Sequence, residues 1–370
     1  MRCLLLIVSL LAVPPAVRAA PGGAPVPVGA IEILTGPNAA YGTAIRDGLQ
    51  LALASINRGG EKIDLRIEDS GGTKEQALSA ARKLIGRDHV AALIGPTLST
   101  EMFAVGPIAD RRGVSIIGTS TTAAGITDIG PYVFRTALPE SRVIPVTFAR
   151  ARQLGVRSIA LLYANDDAFS KSGFQAMDAA AKAAGFAILA EESFGSRDSD
   201  FSAQLTKIKA LRPDAVAISA LVEPTSGVLL QARQLGFGRE TVFIGGNGAN
   251  SPKLAQIAGA AAEGLIVGSP WSVAETDPAN VAFVAAFRAK TGHLPDQFAA
   301  QAYDTMFILA AAIDRAGSPE PVKIRDALLA TDFHGVMGPF RFDAHRSPAS
   351  TAGVVVLQMH DGAFRLLPPR

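Results

Sequence analysis

Val90-Ala91-Ala92-Leu93-Ile94 runs without a break into Gly95-Pro96-Thr97-Leu98-Ser99-Thr100, and further on Val114-Ser115-Ile116-Ile117 runs into Gly118-Thr119-Ser120-Thr121-Thr122. Short, continuously apolar runs of this kind fit strands covered on both faces, the pattern of a parallel sheet. The two loops then stand at carboxyl ends of parallel strands, the edge where open α/β sheets take their ligands. Their hydroxyl groups lie beside free backbone N–H groups at a helix start, where the dipole favours an anion. Ser99, Thr100, Ser120, Thr121 and Thr122 could therefore hold a carboxylate without any cationic side chain. The same residues also suit a purely structural role as N-caps.

Outward from these loops the chain alternates strand and helix. A strand is expected at Ala30–Leu34, then a helix with Ile45, Leu49, Ala52, Leu53 and Ile56 at helical spacing, stopped by Gly59-Gly60. Ile63, Leu65 and Ile67 alternate as a strand, and Thr73 with Gln76 opens a second helix. After Thr100–Arg112 and Val114–Ile117 the alternation restarts beyond Pro139. Strands are expected at Ile159–Tyr163, Ala187–Ala190, Ala215–Ser219, Val242–Ile244 and Leu265–Val267. Helices fall between them at Lys171–Ala184, Phe201–Leu211, Thr225–Leu235 and Pro252–Ala258. Two such series make two similar α/β lobes. The last hundred or so residues are composite: helices at Ala279–Thr291, Gln297–Ala316 and Pro321–Ala330, then strands at Gly338–Phe342, Gly353–Gln358 and Ala363–Leu366.

Composition narrows the function. The 370 residues are 48% hydrophobic and 18% charged, which excludes a disordered chain and fits two ordinary domains. A net charge of +2 gives no basic stripe for nucleic acid. Residues 1–19 read as a secretory signal peptide: Arg2, an apolar run from Leu4 to Val13, and Val17-Arg18-Ala19 before the cut. Its removal takes Arg2, Arg18 and Cys3, leaving 33 charges of each sign and no cysteine. Disulfides, a thiol nucleophile and a Cys-based metal site are then excluded, and a periplasmic protein not inserted in the membrane is expected. No G-x-S-x-G, Walker A, G-x-G-x-x-G or H-E-x-x-H pattern occurs, and the five histidines (His89, His293, His334, His345, His360) show no metal-ligand spacing. An enzyme, a metal and a cofactor are not expected.

Four stretches together resemble one family: Thr35-Gly36-Pro37 with Tyr41-Gly42, Ile94–Thr100, Gly113–Thr122, and Gly335-Val336-Met337-Gly338-Pro339 with Phe342-Asp343. From Val28 to Leu366 the chain is similar to the leucine/isoleucine/valine-binding type of periplasmic substrate-binding protein, the receptor of an ABC importer. The resemblance implies a type I periplasmic binding fold: two doubly wound parallel-sheet lobes joined by a three-stranded hinge, with the ligand enclosed between them. Lobe one would take residues 28–139 and 272–345, lobe two 140–271 and 346–370. It also implies roles, residue by residue. Ser99 matches the serine that binds an amino-acid carboxylate, Thr122 the threonine on the same head group, and Ser120 a position that contributes its backbone. Tyr41 matches a cleft tyrosine and Phe298 an aromatic facing the ligand side chain.

Three positions depart from the family pattern. Phe169 and Leu221 stand where tyrosines are usual, and Asn247 stands where an acidic residue pairs with the ligand ammonium. Glu223 either replaces that charge or is a solvated acid at a helix start, where it suits the dipole. Trp271, the only tryptophan, either lines the cleft or packs the hinge. The expected function is a monomeric receptor that passes a small carboxylate, an amino acid or a relative of one, to an ABC permease. A non-amino-acid ligand (an aromatic or aliphatic carboxylate, or an amide) is the alternative, and an exported α/β hydrolase a remote one.

Overall fold

In the computed structural model, β1 (Val26–Glu32), α1 (Ala39–Ile56), β2 (Ile63–Asp69), α2 (Lys74–Arg82), β3 (Ala92–Ile94), α3 (Ser99–Arg111), β4 (Ser115–Gly118) and β5 (Val133–Arg135) build the first sheet and its helices. All neighbours in it are parallel, in the order β2-β1-β3-β4-β5. The structure describes residues 24–350 and 353–367, so the expected signal peptide and Cys3 lie outside the described residues.

The second series follows: α4 (Glu140–Gln153), β6 (Ser158–Ala164), α5 (Ala168–Ala183), β7 (Ala187–Phe194), α6 (Ser202–Leu211), β8 (Ala215–Ser219), α7 (Val222–Gln234), β9 (Val242–Gly245), α8 (Pro252–Ala258) and β10 (Ile266–Ser269). Then come α9 (Pro278–Thr291), α10 (Gln297–Ala316), α11 (Pro321–Leu329), the hairpin β11 (Phe333–Gly335) and β12 (Gly338–Phe340), and finally β13 (Val355–His360) and β14 (Ala363–Leu366). The second sheet reads β14-β13-β10-β9-β8-β6-β7. The five strands from β10 to β7 are parallel, while β13 and β14 add an antiparallel edge that the alternation did not foretell.

Both sheets reverse direction at their first strand: β1 lies between β2 and β3, and β6 between β7 and β8. Each lobe therefore has a switch point whose crevice opens at the strands' carboxyl ends. The chain passes between the sheets after β5, after β10 and between β12 and β13. Arginines clasp the third passage: Arg135, buried, donates to Ser347 Oγ (2.9 Å) and the Ala123 carbonyl (2.7 Å), and Arg142 donates to the Pro348 carbonyl (2.7 Å). Burial pushes the Arg135 guanidinium down to about 10.

Two glycines of α1 let it pack closely against α10 and the end of β1. A Cβ on Gly48 would stand 2.2 Å from the Ala299 carbonyl oxygen, and one on Gly42 2.1 Å from the Ile33 oxygen. Gly42 thus seats α1 on the end of β1, and Gly48 draws α10 against it. The consequence is a fixed pair at the top of both helices, Tyr41 and Phe298, with ring centroids 4.9 Å apart at 63°. Helix α4 and strand β5 were not read from the sequence. Pro145 interrupts the helical pattern of α4, and β5 has three residues.

Candidate functional site

The carboxyl edges of the two sheets face each other, and between them lies a cavity of ≈ 20 Å³, about one water position. The first lobe contributes Tyr41 from α1, Thr97, Leu98 and Ser99 after β3, Ser120 after β4, and Phe298 from α10. The second contributes Phe169 from α5, Leu221 after β8, and Asn247 and Gly248 after β9.

The lobes touch directly. Tyr41 Oη donates to the Gly248 carbonyl (2.6 Å) and accepts from the Val222 N–H (2.8 Å), so the opposite lobe satisfies it on both counts. Burial first, and the nearby Glu223 carboxylate second, hold this phenol well above its usual range. Gly248 is required within the second lobe itself, because a Cβ there would lie 2.7 Å from the Ala220 oxygen and 3.0 Å from the Phe169 ring. A further crossing runs from the Ala124 N–H to Ser172 Oγ (2.8 Å). This is a closed arrangement.

On the first-lobe floor the two hydroxyl loops are stitched together. Ser120 Oγ donates to the Thr97 carbonyl (2.6 Å), and Ser99 Oγ accepts from the Ala123 N–H (3.3 Å), which leaves the Ser99 proton to donate elsewhere. Below them Thr97 Oγ1 accepts from the Ile33 N–H and donates to Glu32, whose buried carboxyl is held far above the usual carboxylate range by desolvation. Glu101 accepts from the Leu98 N–H and is pushed up to about 7, again mainly by burial. Two buried acids, both raised by desolvation, therefore brace the loop from beneath.

Asn247 is held from two sides. Its backbone N–H donates to Glu140 Oε1 (2.8 Å), and its Oδ1 accepts from Gln297 Nε2 (2.6 Å). One lone pair of the Asn247 oxygen is thereby engaged, which leaves its amide with a second acceptor position as well as its N–H donors. Glu140 lies behind this turn, desolvated and pushed up to about 7.

Of the residues singled out in the sequence, Tyr41, Ser99, Ser120, Phe169, Leu221, Asn247 and Phe298 line this one cavity, and four others do not. Thr100 turns to the other lobe, donating to Asp167 Oδ1 (2.7 Å) and accepting from the Ala168 N–H (3.0 Å). Thr121 folds its hydroxyl back over Gly118, and Thr122 Oγ1 is buried without a partner. Glu223 is half-buried outside the lining, with burial raising its pKa and Oε2 unpartnered. Trp271 is also absent from this lining; it donates to Asn280 Oδ1 (2.7 Å) and meets Phe283 edge-on. Thr97, Leu98, Gly248 and Gln297 were missed. The first three act largely through backbone and shape, which leave no side-chain motif. Gln297 meets Asn247 across fifty residues of sequence.

Among the described residues, one group has metal-ligand types close together: Glu263, His360 and Asp361, on the surface and engaged with one another. No helix among the described residues is long and apolar enough to cross a membrane.

A family model described as periplasmic binding protein matches residues 25–363. The chain belongs to that family. Within it the similarity is to the branched-chain amino acid type. A leucine-, isoleucine-, valine-, threonine- and alanine-binding protein of Pseudomonas aeruginosa is 29% identical over 339 residues, 90% of this chain and 89% of that one. A Leu/Ile/Val-binding protein of Rhizobium johnstonii is 32% identical, covering 80% and 81%. Among solved structures, a branched-chain amino acid transporter substrate-binding protein of Streptococcus pneumoniae, in complex with isoleucine, superposes with TM-score 0.85 at 29% identity, covering 94% of this chain and 100% of that one. The fold is accordingly that of type I periplasmic binding proteins.

Proposed function

We propose that this periplasmic binding protein is the solute receptor of an ABC importer and encloses one small carboxylate, an amino acid or a related acid, without altering it. The observation that carries this reading is the polarity of the cleft. One wall has the Ser99 and Ser120 loops, and the opposite wall has the neutral Asn247, whose side-chain oxygen accepts from Gln297 of the first lobe. Apolar Phe169, Leu221 and Phe298 fill the space between, the usual inventory of a small-molecule site. A ligand touching both walls favours the closed form, which the permease would then recognise. The receptor works in the periplasm as a monomer, with lobes divided at the boundaries expected above.

A second reading concerns the ligand class. Asn247 lines the cleft and brings no charge to it, so a carboxylate lacking the ammonium group fits better than a zwitterion. A thermal-shift screen against amino acids, aromatic acids, 2-oxo acids and amides tests the function. A ligand at ~100 times its dissociation constant adds ~2.7 kcal/mol, a shift of several degrees. Stabilisation without turnover is expected; turnover of any of these compounds would overturn the receptor reading.

A further inference from the structure

Ser99 and Thr100 are the first two residues of α3, and of the pair only Ser99 lines the cleft. Thr100 reaches across the lobe boundary instead. Its Oγ1 donates to Asp167 Oδ1 (2.7 Å) and accepts from the Ala168 N–H (3.0 Å), so both roles of one hydroxyl are filled by the second lobe. It is therefore no cap of its own helix. The receiving end is built within the second lobe. Asp167 is 7% exposed and caps α5, its Oδ2 accepting from the Ser170 N–H and the Ser170 hydroxyl, each at 2.8 Å. These bonds fix the carboxyl and leave Oδ1 to Thr100. Phe169, two residues beyond Asp167, is itself a wall of the cleft. The crossing thus stands one residue from a wall on the first lobe and two from a wall on the second.

We propose that Thr100 is a positioning residue for ligand capture: bonded to Asp167 and Ala168, it sets the Ser99 and Phe169 walls at their closed spacing without touching the ligand. This rests on the receptor reading, in which both walls close on one small molecule. Opening the lobes parts α3 from α5 and returns both groups to water, so the two bonds count only in the closed form. A ligand that needs both walls gains from them whatever its head group. The apparent affinity of every such ligand scales with the population of the closed form. Removing the Thr100 hydroxyl therefore weakens all of them by one common factor, whereas a residue that touches the ligand discriminates among them.

Thr100→Val removes the hydroxyl and keeps the shape, and Thr100→Ser keeps the hydroxyl. Hydrogen exchange in the full mature chain reads closure at two other amides that donate across the boundary, Val222 N–H to Tyr41 Oη and Ala124 N–H to Ser172 Oγ. Both should exchange about tenfold faster in Thr100→Val and at the wild-type rate in Thr100→Ser. The Ile116 N–H, bonded to the Tyr132 carbonyl inside the first lobe, should be unchanged in both. Calorimetry with leucine and with its desamino analogue should show Thr100→Val lowering both affinities by the same factor, about tenfold. Unchanged exchange at Val222 and Ala124 overturns the proposal. So does faster exchange at Ile116 as well, which makes Thr100 a support of its own lobe, or a Thr100→Ser variant as open as Thr100→Val. An affinity loss confined to one of the two compounds also overturns it, by placing Thr100 at the ligand. If neither compound binds the wild type, the receptor reading loses its support while the exchange rates still decide this proposal.

Discussion

The Tyr41 hydroxyl donates to the Gly248 carbonyl at 2.6 Å, a bond that joins the two lobes across the cleft. The same oxygen accepts from the Val222 N–H, and the ring stays fixed on the first lobe by Phe298. Tyr41 is thus a contact of the closed form itself, besides being part of the cavity wall.

Tyr41→Phe should keep the ring packing and remove both inter-lobe bonds. At ~0.5–1.5 kcal/mol net for each hydrogen bond, the closed form loses about 1–3 kcal/mol relative to the open one. Ligand affinity should fall roughly five- to a hundredfold, and small-angle scattering of the unliganded protein should show a larger radius of gyration. Unchanged affinity and radius would mean that Tyr41 does not govern closure.

Ser99→Ala and Thr122→Val should each weaken carboxylate binding roughly ten- to a hundredfold, from ~1.5–3 kcal/mol per hydrogen bond to a charged group. The unliganded melting temperature should barely move for Ser99→Ala, because the lost Ala123 N–H contact is long at 3.3 Å. Thr122 lies outside the closed cavity with its hydroxyl unpartnered, so its loss tests whether the loop turns toward a ligand. Stability lost without affinity would reduce both residues to structural supports of their loops.

Stability should fall as pH rises from about 4.5 to about 7. Glu101, Glu140 and Asp304 are each pushed up to about 7 by burial, and Asp296 to about 6, from ordinary values of 4.5 for Glu and 3.8 for Asp. Over that interval the native state keeps protons that the unfolded chain has released, so unfolding releases protons and higher pH favours it. The contribution is complete below the unfolded values and lost once pH passes the folded ones. Melting temperatures from pH 4.5 to 8 read this directly. Glu140→Gln keeps an acceptor for the Asn247 N–H and should flatten part of the slope; a melting temperature that rises through the interval would contradict the assignment.

The sequence made the lobes legible because buried parallel strands are continuous apolar runs, and strands such as Ala215–Ser219 fall where the pattern places them. The cleft floor was legible for a related reason: glycine and hydroxyl residues follow those strands at the ligand-binding edge. What the pattern could not carry was direction. Ser99 and Thr100 are adjacent on α3, and a helix turns successive side chains by about 100°, so one lines the cavity while the other reaches Asp167. Nor could it show that Gln297 occupies the Asn247 oxygen, since that bond depends on how α10 is seated against α1 through Gly48.

The central claim, a carboxylate receptor whose far wall is neutral, is tested most directly by calorimetry with leucine against its desamino and 2-oxo analogues. An ammonium enclosed without a counter-charge costs several kcal/mol, and Asn247 supplies no charge. The analogues should bind at least about tenfold tighter than leucine, ~1.4 kcal/mol or more, and Asn247→Asp should narrow or reverse that order. Micromolar leucine binding that equals or exceeds the analogues and survives Glu223→Gln would contradict it.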